Sequence, residues 1–137
     1  MWQHRFAVDA NKGPVFKIRI GVQNGHRGRR VAPTPIELPA LIDTGCNSVI
    51  QIPFGYAAKL GLLPIRKDRI KIVGQAPQER DVYNIRIHLP GENGPTLDVE
   101  AIELPADESN GQAFLGCKFL ENAVMIYNGP ACTVTII

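Results

Sequence analysis

The stretch that decides the fold is Pro39-Ala40-Leu41-Ile42-Asp43-Thr44-Gly45-Cys46-Asn47-Ser48-Val49-Ile50. It places a carboxylate on a glycine turn between two apolar runs that are typical of β-strands. Such a turn holds Asp43 at the end of a rigid scaffold, where its surroundings can tune its protonation. Thr44 adds a hydroxyl that can donate or accept a hydrogen bond. Gly45 lacks a Cβ, so the backbone can turn sharply and bring its N–H towards the Asp43 oxygens.

The Asp43-Thr44-Gly45 tripeptide occurs once in the chain. Peptide hydrolysis by aspartate chemistry needs one ionised carboxylate to take a proton from water and one protonated carboxyl to polarise the carbonyl. Two carboxyl groups about 3 Å apart share a proton and titrate as a pair. A single copy can form this pair only across a two-fold axis, where a homodimer brings Asp43 to Asp43′. The alternative is an ordinary loop, because Asp and Gly are common turn residues.

The segment 39–50 resembles the active-site segment of the retropepsin-like aspartic proteases, the retroviral proteases and their cellular and bacterial relatives. Tyr56-Ala57-Ala58-Lys59-Leu60-Gly61-Leu62 is similar to the short helix that often follows in bacterial members. A second family feature is an apolar pair followed by glycine before a short helix, and Phe114-Leu115-Gly116-Cys117-Lys118-Phe119-Leu120 fits it. The two motifs lie about 70 residues apart, and the resemblance covers roughly residues 15–137.

The resemblance implies an all-β fold, a retropepsin-like closed barrel or sandwich with one or two short helices, built to dimerise as a single domain over residues 1–137. It implies an aspartic endopeptidase in which Asp43 is catalytic and Thr44 and Gly45 support the active-site turn. Leu115 and Gly116 of the second motif are expected beneath the Asp43 loop, so close that only hydrogen fits at position 116. The expected partners are a second copy and an extended peptide or protein substrate, with no cofactor and no metal.

Two positions depart from the family pattern. Cys46 stands where the family often has alanine, which adds a thiol beside the dyad and with it a sensitivity to oxidation. Cys117-Lys118 follows the late glycine, where retroviral members have an arginine that braces the dimer. The brace of the dimer therefore cannot be carried over to this chain. A non-catalytic peptide-binding or dimerisation module with the retropepsin fold is an alternative to the protease. A soluble β-domain with an incidental Asp-Thr-Gly is another.

Composition agrees with one globular domain of modest core. The chain has 137 residues, is 45% hydrophobic and 20% charged, and carries a net charge of +2. This balance gives no electrostatic reason to expect nucleic acid or a membrane as a partner. The N-terminus lacks the apolar core of a signal peptide. Three widely spaced cysteines favour reduced thiols and a cytoplasmic location.

Period-two alternation predicts short strands through most of the chain. The predicted strands cover residues 5–9, 15–22, 36–42, 69–73, 82–89, 97–102, 122–127 and 133–137. Residues 57–62 are predicted to be helical, ended by Gly61. Asn24-Gly25 is a hairpin signal. The apolar C-terminal strand has an edge to cover, either by a second subunit or within its own sheet.

A hairpin with Gly74 near its tip falls where the family carries its mobile flap, although an ordinary surface hairpin would give the same pattern. The basic residues Arg27, Arg29 and Arg30 lack interleaved aromatics, which favours a solvated loop over nucleic-acid binding. The histidines at positions 4, 26 and 88 and the cysteines show no ligand spacing, which argues against zinc. Nothing local supports Cys46 as a nucleophile with His88 as its base.

Overall fold

The structure, a computed structural model, describes residues 2–23, 33–71 and 73–137. Within these residues the strands are β1 (His4–Ala7), β2 (Val15–Gly21), β3 (Ile36–Ile42), β4 (Ile50–Ile52), β5 (Arg66–Ile70), β6 (Gln78–His88), β7 (Thr96–Glu103), β8 (Ala113–Leu115), β9 (Met125–Asn128) and β10 (Thr133–Ile136). Two short helices, α1 (Tyr56–Lys59) and α2 (Cys117–Leu120), and a 3₁₀ turn over Ala106–Glu108 complete the fold.

Six strands close into a barrel in the order β2-β3-β8-β4-β7-β6, because β6 pairs back onto β2. Their sequences alternate as a half-buried surface requires. In β2, for example, Phe16, Ile18 and Ile20 are buried while Lys17 and Arg19 face solvent. The prediction of an all-β fold with a closed barrel and short helices is confirmed.

A separate three-stranded sheet has the order β1-β10-β9. The C-terminal strand β10 lies in its centre, so both of its edges are paired within the chain. Val134 and Ile136 on β10 are buried and belong to the main core cluster. The strand therefore covers its edges in its own sheet, and the edges left open are those of β1 and β9.

The predicted strand over residues 69–73 is wrong in its bounds. β5 runs from Arg66 to Ile70, and Lys71 and Val73 lie in the turn that follows. β5 is an edge strand that pairs only with β6, so its residues need not alternate between core and solvent. The apolar run misled the prediction because its Val73 is fully exposed at the hairpin tip. β6 correspondingly begins at Gln78, earlier than expected.

The helix predicted over 57–62 is shorter, Tyr56–Lys59, and Gly61 at φ 71° follows it in the left-handed conformation that ends helices. The Asn24-Gly25 turn and the basic residues Arg27, Arg29 and Arg30 lie outside the described residues. In the part of the chain that the structure describes, no helix has the length and apolar character needed to cross a membrane.

Candidate active site

The Asp43 loop is held by hydrogen bonds on both sides. The backbone N–H of Asp43 donates to the carbonyl of Leu115 at 2.8 Å, and its own carbonyl accepts from the N–H of Cys46 at 3.1 Å. Asp43 Oδ1 accepts from the N–H of Gly45 at 2.9 Å, the approach that a glycine turn was expected to provide. The Asp43 side chain is half-buried. Its carboxylate is therefore oriented by the turn while part of it stays accessible.

The late motif supplies the strand that lies between the two strands flanking this loop. β8 runs parallel to β3, with Ile42 beside Leu115, and antiparallel to β4, with Ile50 beside Leu115. Leu115 is fully buried. The chain thus enters the loop along one side of β8 and leaves along the other. The two motifs, distant in sequence, form one structural unit.

A glycine is required at position 116 because the chain there passes very close to the backbone of the Asp43 loop. A Cβ at this position would lie 2.1 Å from the carbonyl oxygen of Ser48 and 2.6 Å from that of Cys46. The N–H of Gly116 donates to the carbonyl of Val49 at 3.0 Å. Its φ of −98° and ψ of −172° are available to any residue, so backbone strain does not explain the glycine. Only hydrogen fits there, as the sequence led us to expect.

A cleft of about 840 Å³ opens beside the loop. Its wall includes Asp43 and Gly45, one face of the β5–β6 hairpin, the end of β7 and Lys118 from α2. Thr44 is exposed and does not line this cleft, and its carbonyl accepts a hydrogen bond from the Cys117 thiol at 2.8 Å. The structure therefore brings Asp43 and the hairpin to one cavity and leaves the Thr44 side chain outside it.

Gly74 lies at the tip of the β5–β6 hairpin with φ 79°, and among the described residues no atom would lie within 4 Å of a Cβ at this position. Gly74 does not itself line the cleft, but Lys71 and Val73 beside it do. Val73 is fully exposed. The hairpin thus ends in a turn that combines conformational freedom with an unburied apolar side chain next to the cleft.

The charged lining of the cleft was not found from the sequence. Arg66 bonds both Asp68 and Glu100, and its guanidinium lowers the pKa of each carboxyl. Partial burial raises the pKa of Glu103, which accepts a bond from the N–H of Gly55 at 3.3 Å. The charge alternation of Arg66 and Asp68 was visible in the sequence, but their partner on β7 was not.

The three thiols differ in their exposure to solvent. All three cysteines are free, but Cys46 is buried and Cys117 is exposed. The thiol of Cys46 is sheltered next to Gly116, and the accessible thiol of the loop region belongs to Cys117. Sensitivity to oxidation is accordingly expected at Cys117 rather than at Cys46. Within the described residues, no group of three or more His, Cys, Asp and Glu side chains is placed to hold a metal ion.

No protein-family model matches the chain, and no curated protein matches it by sequence. Among solved structures, it is similar to a retropepsin-like aspartic protease from Rickettsia conorii, with a TM-score of 0.57 and 18% sequence identity. The match covers 98% of this chain and 89% of that one. At this identity the likeness establishes the fold. The chain therefore has a retropepsin-like fold.

Proposed function

We propose that the protein is an aspartic endopeptidase whose catalytic dyad is formed by Asp43 and Asp43′ across a homodimer. The observation that carries the proposal is the half-buried Asp43 carboxylate, on a turn held by β8, at the wall of a cleft in a retropepsin-like fold. Thr44 and Gly45 support the turn, and the β5–β6 hairpin serves as the flap over an extended peptide.

In the proposed mechanism, a water lies between the two Asp43 carboxyl groups. The ionised one takes a proton from the water, while the protonated one donates a hydrogen bond to the scissile carbonyl. The water oxygen bonds to the carbonyl carbon while the carbonyl oxygen takes the proton of the second carboxyl, which gives a tetrahedral diol. The proton taken from the water then passes to the amide nitrogen as the C–N bond breaks, and the second carboxylate recovers a proton from the diol. The dyad returns to its starting state, and no covalent bond to the protein forms. Because each carboxyl must be in a different protonation state, activity follows a bell-shaped pH profile.

A second copy is proposed as the source of the second carboxyl, because three of the four other acidic residues that line the cleft already have partners within the chain. Asp68 and Glu100 line the cleft, but both are held by Arg66. Glu103 accepts the backbone N–H of Gly55. A two-fold axis supplies the missing carboxyl without any further residue.

The three-stranded sheet offers a surface that supports self-association. β9 is an edge strand, and Ile126 and Tyr127 on it are exposed, together with the adjoining Val124. An open strand edge beside exposed apolar side chains is a template for pairing with another chain. Association of two copies through this sheet would cover both features.

The decisive experiment compares the wild type with Asp43→Asn on a diverse peptide library between about pH 3 and pH 8, a range that brackets the carboxyl titrations. We expect Asp43→Asn to abolish cleavage while its melting temperature and its mass in solution stay unchanged. Asp107→Asn is the matched control, because Asp107 is exposed and does not line the cleft. Sedimentation of the active wild type should show a dimer.

Turnover by Asp43→Asn at the wild-type rate would refute the catalytic assignment. A wild type that is active while wholly monomeric would refute the shared dyad. If peptides bind the wild type but none is cut at any pH, the chain is a binding module with this fold instead.

A further inference from the structure

The β5–β6 hairpin projects from the barrel, and the line that separates the two runs through the paired residues Arg66, Val82 and Ile102. Val82 of β6 pairs with Arg66 of β5 on one side and with Ile102 of β7 on the other. Before Val82, β6 pairs only with β5, and after it β6 pairs with β7. The arm beyond this line, with Gly74 at its tip, is therefore attached to the barrel through the continuous strand β6. Bending at Val82 would swing the whole arm.

A network of ion pairs formed by Arg66, Asp68 and Glu100, here called the ionic bracket, spans this line. Arg66, at the root of β5, donates from Nε to Asp68 Oδ1 at 2.8 Å and from Nη1 to Glu100 Oε2 at 2.8 Å. Its Nη2 donates to both carboxylates as well. Asp68 is on β5 beyond this line and Glu100 is on β7, so the guanidinium reaches across β6 and ties the arm, through Asp68, to the barrel wall.

The bracket has the properties that make a surface ion pair effective. Exposed single pairs contribute little to stability, whereas bidentate arginine pairs joined in a network contribute more. Here one guanidinium holds two carboxylates, each by two bonds. Arg66 lowers the pKa of both Asp68 and Glu100, and Lys118 on α2 acts in the same direction. Both carboxylates therefore stay ionised into the acid range.

We propose that Arg66 and Glu100 are positioning residues that set the angle of the β5–β6 hairpin over the Asp43 cleft. The restraint on the hairpin follows from the strand pairing and the ionic bracket alone. Its consequence for substrate binding rests on the proposed protease function. Asp68 is the member of the bracket that lies in the arm, and Arg66 joins it to Glu100 on the barrel.

The length of the arm amplifies a small change at its root. Gly74 is eight positions after Arg66 in the sequence, and at about 3.3 Å per residue in a strand the tip lies up to about 25 Å from the root. A tilt of about 10° at the root would move such a tip by about 4 Å. A movement of that size separates the hairpin from a peptide in the cleft. The fraction of molecules competent to bind then falls, and KM rises by the same factor.

The test compares three isosteric variants. Glu100→Gln cuts the link from Arg66 to β7, and Asp68→Asn cuts the link from Arg66 to the arm. Asp98→Asn is the matched control, because Asp98 also lies on β7 and holds an arginine by two bonds, from Arg86 Nε at 2.7 Å and Nη2 at 3.0 Å. Arg86 is directly opposite Asp98 inside the barrel pairing, away from the hairpin root.

We expect Glu100→Gln to speed amide hydrogen exchange in residues 67–71 and 73–81 by about two- to fivefold, the effect of losing one solvent-screened ion pair, with exchange in β2 and β3 unchanged. KM for a cleaved peptide should rise by a similar factor, with kcat within about twofold, because the dyad itself is untouched. Asp98→Asn should leave both quantities at wild-type values, and Asp68→Asn should change them about as much as Glu100→Gln, because either variant breaks the connection between the arm and β7.

Hairpin exchange in Glu100→Gln equal to that in Asp98→Asn would overturn the inference, since the bracket would then restrain nothing. Faster exchange with an unchanged KM would overturn the positioning role. If the wild type cuts no peptide, the proposed function fails, while the exchange data still decide whether the bracket holds the hairpin.

Discussion

Replacing Gly116 with alanine would place a Cβ in space that the Asp43 loop already occupies. The methyl carbon would lie 2.1 Å from the Ser48 carbonyl oxygen, and that oxygen would have to retreat by about 1.3 Å to reach ordinary contact at 3.4 Å. The obstructing atoms belong to the backbone of the loop, and Gly116 is itself hydrogen-bonded to Val49. Neither side can move without displacing the turn that carries Asp43.

We expect Gly116→Ala to destabilise the fold by about 3 kcal/mol, the upper end for overpacking. For a domain of this size that lowers the melting temperature by about 12 °C. The activity of the folded fraction should fall further, by about a hundredfold, because a shift of about 1 Å at a catalytic group has that effect on rate. Gly116→Val should be at least as severe.

Two other glycines provide the controls. A Cβ at Gly94 would lie 2.0 Å from the Leu89 carbonyl oxygen, in the turn between β6 and β7, which does not line the cleft. Gly94→Ala should therefore lose comparable stability but keep its specific activity. Gly129 has no atom within 4 Å of a built Cβ, so Gly129→Ala should be neutral. Thermal melts and specific activity of the folded fraction separate these cases. A Gly116→Ala variant that melts and cleaves like the wild type would refute the packing argument.

Two further predictions concern thiols and pH. Alkylation with iodoacetamide should reduce activity through the exposed Cys117, whose thiol lies 2.8 Å from the Thr44 carbonyl, so Cys117→Ser should resist the reagent and Cys132→Ser should not. Equal inactivation of both variants, measured by residual activity, would contradict this. Glu103→Gln should stabilise the protein at neutral pH, because burial raises the folded pKa of Glu103 above its ordinary value of 4.5 and disfavours the carboxylate. The gain should disappear below about pH 4, where Glu103 is protonated in both the folded and the unfolded chain, and urea titrations at both pH values would measure it.

The sequence was sufficient for the features that depend on neighbouring residues. Alternation of buried and exposed positions located most strands, because the side chains of a strand point to opposite faces in turn. The Asp43-Thr44-Gly45 turn could be read directly, since its geometry is set by the residue types within it. The apolar pair before Gly116 was recognisable for the same reason.

The bounds of the edge strand β5 were predicted wrongly because none of its residues is buried. Its residues are mostly charged and pair with a single neighbouring strand, so nothing in the local sequence marks its ends. The apolar residues Ile70 and Val73 looked like the strand, although Val73 is at the exposed tip. Pairing with β6 decided the bounds.

Only the tertiary structure decided how the distant segments meet. The position of β8 between β3 and β4, and hence the contact of Gly116 with the backbone of Ser48, joins residues far apart in sequence through strand pairing. The contact of Arg66 with Glu100 likewise joins β5 to β7, which are separated by β6. Local residue types set the turn and the strands, but which strands are neighbours, and in which register, is determined by the closing of the barrel around a shared apolar core.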